Sequence, residues 1–135
     1  MSPIADNTFS ISKLTKDRVP ALPFFALKNS TLGAKYNLSL VIVGDARSCQ
    51  LNLKYRKKSY TPNVLSFPLD EKSGEIFLNL KQAKRESASR EESLRYFVAL
   101  LFIHSMLHLI GNRHSSTMEE TELRILSKYN IKNTF

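Results

Sequence analysis

Residues 96–103, Tyr-Phe-Val-Ala-Leu-Leu-Phe-Ile, form the longest apolar run in the chain. A membrane span needs about 20 apolar residues, and His104 and Ser105 end this run well short of that. The run therefore predicts a helix buried in a protein core, with the other elements packed around it. Ser89 with Glu92 fits a capping box, and Gly111 stands where a glycine ends a helix. Together they bound the expected helix to about residues 90–110.

The rest of the chain must supply what surrounds that helix. Residues 36–44, Tyr-Asn-Leu-Ser-Leu-Val-Ile-Val-Gly, read as a buried strand. Residues 7–14 alternate Phe9 and Ile11 like an opening strand. Residues 63–69 and 74–80 read as two strands around the turn Asp-Glu-Lys-Ser-Gly, with Gly74 supplying backbone freedom. Helical apolar spacing over 17–33 is restricted to a late start by Pro20 and Pro23. Asp45 is the expected N-cap of a helix reaching Lys58, and Ser116 with Glu119 opens another over 117–129. Strands come early and helices late. The expected fold is α+β, a small mixed sheet of about four strands packed with helices, the long histidine-bearing helix lying in the C-terminal half.

With 135 residues, 42% hydrophobic and 24% charged, the chain has the balance of one globular domain spanning 1–135. A single cysteine, Cys49, excludes an internal disulfide and reads as a small buried apolar residue. The opening residues lack the apolar core of a secretory leader, so the expected location is the cytoplasm, with no membrane partner. The net charge of +8 is uneven. Residues 1–67 carry ten Lys/Arg against three Asp/Glu, whereas residues 68–135 carry ten against nine. The densest point is Lys54–Lys58. Such a basic half suits a polyanionic partner, RNA or DNA first; a merely solvated lysine face is the plainer alternative.

All three histidines, His104, His108 and His114, fall within eleven residues, Phe-Ile-His-Ser-Met-Leu-His-Leu-Ile-Gly-Asn-Arg-His closing the segment 102–114. His104 and His108 lie about 40° apart on one helix face, one turn above the other. Once Gly111 ends the helix, the chain can fold back and bring His114 to the same point. Three protein ligands leave a fourth tetrahedral position open, as in catalytic zinc sites. The spacing equals that of the metzincin proteases, which place a glutamate base directly after the first histidine. Here that residue is Ser105, which disfavours a metalloprotease. A site without its own carboxylate base suits polarisation of a phosphodiester.

The segments Leu-Asn-Leu-Lys-Tyr-Arg-Lys-Lys (51–58), Pro-Asn-Val-Leu-Ser-Phe-Pro (62–68) and His104–His114, in that order, resemble the YbeY family of bacterial metal-dependent endoribonucleases, also called rRNA maturation factors. Residues 74–79 and 83–86 and the Met-Glu after the third histidine also resemble family segments. The resemblance implies a zinc-like ion, one per chain, held by His104, His108 and His114. It implies that Arg56 takes part in RNA cleavage. It further implies a single-strand-preferring endoribonuclease acting in rRNA maturation, 16S rRNA processing and ribosome quality control, with rRNA or ribosomal particles as partner. The alternative is a non-catalytic ribosome-assembly factor that keeps the metal for stability. The chain departs from the family pattern at Ser105, where the family has glycine, at Asn112-Arg113 in place of Tyr-Asp, and at Thr61-Pro62, which inverts Pro-Thr.

Overall fold

The computed structural model describes residues 8–111 and 116–135. The elements run β1 (Phe9–Lys13), α1 (Phe24–Leu32), β2 (Asn37–Val43), α2 (Asp45–Arg56), β3 (Val64–Asp70), β4 (Ser73–Asn79), α3 (Leu80–Ser89), α4 (Leu94–Leu109) and α5 (Ser116–Lys128). The four strands form one mixed sheet in the order β1-β2-β4-β3. β2 pairs in parallel with β1 and β4, and β3 pairs antiparallel with β4. The α+β expectation holds.

α4 is the hub. Ten of its sixteen residues are buried, because the apolar run leaves no side to give to water. Phe102, Ile103 and Met106 share a core with Leu38, Leu40 and Ile42 of β2 and with Ile76 and Leu78 of β4. α1, α3 and α5 pack around α4. α2 instead packs on β3 and β4. Alternate residues of a strand face opposite sides, and directly paired residues share a side. So Ile76 and Leu78, with their partners Ser66 and Val64, face α4. Phe77 and Glu75, with Leu65 and Phe67, take the side of α2.

Local expectations are corrected at the start of α4, at Asp45, at Cys49 and at Gly74. The long helix begins later than the Ser89/Glu92 pair suggests. Ser89 ends α3, a separate helix whose buried Leu80, Ala83 and Ser87 are spaced as one face. Glu91 then takes a left-handed backbone, φ 56°, and Ser93 caps α4 by accepting from the Tyr96 N–H. Two Ser-x-x-like caps four residues apart compete here, and the chain reversal lies between them. Asp45 does not cap α2 either; Gly44 occupies the cap position. The Asp45 carboxylate accepts instead from Arg85 Nη2 at 2.7 Å and Asn79 Nδ2 at 2.9 Å, tying α2 to α3. Cys49 is half-buried, with its Sγ 3.2 Å from Thr61 Oγ1.

The Arg85 guanidinium and the Asn79 amide pull the Asp45 carboxyl down to about 2. A depressed carboxyl contributes stability above its unfolded value near 4 and loses it as pH falls toward 2. The Asp45→Asn variant is therefore expected to show a flatter loss of stability between about pH 4 and pH 2, read from urea midpoints along a pH series.

Gly74 serves packing rather than turn freedom. A Cβ there would lie 2.7 Å from Tyr36 Oη and 2.9 Å from Leu109 Cδ2, so the sheet approaches the end of α4 only because this side chain is missing. Gly74→Ala is expected to destabilise the fold by about 1–3 kcal/mol through overpacking, lowering the urea midpoint.

Candidate metal and RNA cleft

α4 ends as its sequence predicts. Gly111 has φ +89° and its N–H donates to the His108 carbonyl at 3.0 Å. The final turns of α4 therefore present His104 and His108 together, with Nε2 atoms 3.1 Å apart and ring planes 83° to one another. Two nitrogens bound to one tetrahedral ion at about 2.0–2.1 Å would stand about 3.3 Å apart. The pair thus fits a shared metal with a shift of a few tenths of an ångström. His114, the expected third ligand, lies outside the described residues, and no group of three metal-ligating side chains occurs among those described.

α5 adds a residue that the histidine spacing does not reveal. Glu122 Oε2 lies 2.5 Å from His104 Nδ1, and Glu122 is only 6% exposed. A carboxylate at Nδ1 selects the tautomer with Nδ1–H donating, which leaves the Nε2 lone pair for an ion. This is the usual support of a metal-bound imidazole. The signal was present in α5: Met118, Glu122, Ile125 and Leu126 are the buried face, and an acid stands on it at helical spacing.

Arg56, the last residue of α2, lines the same cavity of about 590 Å³ as His104, His108, Ser66 and Ser105. Its Nη1 donates to Asn52 Oδ1 at 3.1 Å and to Tyr60 Oη at 2.9 Å. Those bonds use both Nη1 hydrogens and leave the Nε and Nη2 donors available as a pair. Asn52 is fully buried and also donates to the Tyr60 carbonyl at 2.9 Å. One amide therefore fixes both the arginine and the loop carrying Tyr60. The chain turns off α2 through Lys57, which has a left-handed φ of 58°. Asn52 and Tyr60 were not evident as site residues, although Asn52 is four positions before Arg56 on one helix face.

Asn63, which also borders the cleft, is committed elsewhere: its Nδ2 donates to Glu86 Oε1 at 2.8 Å. Ser66 remains on the cleft wall from edge strand β3. Ser105 is 2% exposed, and among the described residues no carboxylate lines the cleft, Glu122 being turned to the far nitrogen of His104. No helix among the described residues is long and apolar enough to cross a membrane.

Residues 4–133 match the family described as Endoribonuclease YbeY. Among curated relatives, the endoribonuclease YbeY of Mycoplasma mycoides is 33% identical over 62% of this chain and 57% of its own length. That of Mesoplasma florum is 31% identical over 73% of this chain and 62% of its own length. The chain thus spans about 57–62% of the length of these two relatives. That of Campylobacter jejuni is 34% identical over 76% of this chain and 81% of its own length. A solution structure of a Thermotoga maritima protein superposes with a TM-score of 0.63 at 17% identity, covering 90% of this chain and 91% of that one. At that identity it bears on the fold alone.

Proposed function

The chain belongs to the endoribonuclease YbeY family, and from that premise we propose that it is a zinc-dependent endoribonuclease that cuts single-stranded RNA. We extend this to rRNA maturation, including 16S rRNA processing and ribosome quality control, in the cytoplasm. The observation that carries the reading is the shared cleft: Arg56 and the converging Nε2 atoms of His104 and His108 line one cavity. His114 would complete the ligand set.

A bound zinc ion would act as a Lewis acid on the scissile phosphate and its attacking group. The chain's own residues do the rest. Glu122 holds the His104 ring in its ligating tautomer and orientation. Asn52 and Tyr60 hold Arg56 so that Nε and Nη2 meet two phosphoryl oxygens as negative charge grows on them. The Lys54–Lys58 run lies at the cleft end of α2 and attracts the phosphate backbone around the cut.

The testing experiment is cleavage of matched single-stranded and duplex RNAs by purified protein, with and without chelator. Cutting that prefers the single strand and disappears with chelator supports the proposal. RNA binding without cutting under any metal would favour the non-catalytic assembly factor. Phosphate contacts release counterions, so RNA affinity is expected to fall steeply between about 50 and 200 mM salt. Affinity indifferent to salt in a filter-binding titration would mean that the lysines only solvate the surface.

A further inference from the structure

On the opposite side of the sheet from α4 lies a second hollow, of about 580 Å³, between α2 and the β3–β4 hairpin. Arg47, Leu51 and Tyr55 line it from α2, at four-residue spacing, and Phe67 and Phe77 form its floor. The rings make a ladder: Tyr55 to Phe67 is 5.5 Å between centroids and Phe67 to Phe77 is 5.8 Å, both edge-to-face. Tyr55 is 58% exposed and Leu69, on the rim, 61%. An exposed Tyr55 over the half-buried Phe67 and Phe77, beside the basic end of α2, suits an occupant that is both planar and anionic.

Two features join this hollow to the cleft. Pro68 of edge strand β3 borders both cavities. Tyr55 and Arg56 are consecutive on α2, about 100° apart, so one turns to the hollow and the other to the cleft. Lys54 Nζ sits 5.2 Å from the Tyr55 ring centroid, and Lys57 and Lys58 follow at the helix end. The lining itself carries one base, Arg47, and one acid, Glu75, so the positive charge at the hollow comes from the end of α2 beside it.

We infer that the Tyr55–Phe67–Phe77 hollow is a nucleobase subsite outside the cleft, which takes an unpaired base of the same RNA strand after it passes over β3 at Pro68. The inference rests on the proposal that RNA is the substrate. Stacking is indifferent to base identity, so the subsite adds affinity and a single-strand requirement rather than sequence readout. A duplex cannot present an unstacked base to it.

The test uses two single-stranded RNAs, one just long enough for the cleft and one several nucleotides longer, with 2-aminopurine placed at successive positions. The wild-type protein is expected to bind the longer RNA more tightly and to quench or shift the probe at one position outside the cleft. Tyr55→Ala should remove the probe signal and about ten- to a hundredfold of the affinity for the longer RNA, collapsing the length dependence. Tyr55→Phe should retain both. Wild-type protein with no length dependence and no probe response beyond the cleft overturns the subsite, whatever the variants do. So does Tyr55→Ala with undiminished length dependence, and the hollow would then be left to a protein partner. Cutting tests the nuclease reading separately: length-dependent binding without cleavage sinks that reading and keeps the subsite.

Discussion

Arg56→Ala is expected to lower the single-turnover cleavage rate by about 10²–10³-fold, as for other preorganised groups that meet charge in the transition state. RNA affinity should fall far less, because Lys54, Lys57 and Lys58 remain on the same helix end. The separation follows from geometry. Nη1 is occupied by Asn52 and Tyr60, so the guanidinium is held still while Nε and Nη2 stay available as a fork. Arg56→Lys should recover little, since an ammonium offers a point charge and cannot take up both anchoring bonds in the same plane. Lys58→Ala is the comparison, with a small loss in affinity and rate alike. If all three variants lose similar small amounts of both, Arg56 is one more phosphate contact.

Glu122→Ala is expected to weaken zinc binding by about 10–100-fold, measured by competition with a chromophoric chelator in the absence of RNA. The carboxylate lies buried against His104 Nδ1, and without it neither the tautomer nor the ring angle is held. Glu122→Gln keeps an acceptor at nearly the same place and should lose less. Zinc affinity equal to wild type in a folded Glu122→Ala protein would reduce Glu122 to a packing residue of α5.

The parts of this arrangement that were legible in sequence are those written in local spacing. His104 and His108 share a face because helical periodicity puts them there, and Gly111 ends the helix because a left-handed residue is needed after it. β2 was legible from its β-branched run, β1 from its alternation, β3 and β4 from the turn between them, and Arg56 from its place in a motif. What was not legible depends on contacts between distant segments. α3 was missed because Ser89 offers a plausible cap for the wrong helix, while the working cap, Ser93, stands four residues on. Gly74 looks like a turn residue until Tyr36 and Leu109 are seen against it. Glu122 lies eighteen positions from His104, and only the packing of α5 on α4 brings them together. The aromatic hollow is likewise assembled from α2, β3 and β4, and no single stretch of sequence displays it.

On the function proposed, one metal held by this histidine set drives RNA cleavage. The most direct measurement is the rate of RNA cleavage by chelator-stripped protein as zinc is added back, alongside His108→Ala. The expected result is no cleavage by the stripped protein, recovery that saturates at one zinc ion per chain, and no recovery in the variant. Full cleavage by stripped protein, or by His108→Ala, would contradict it.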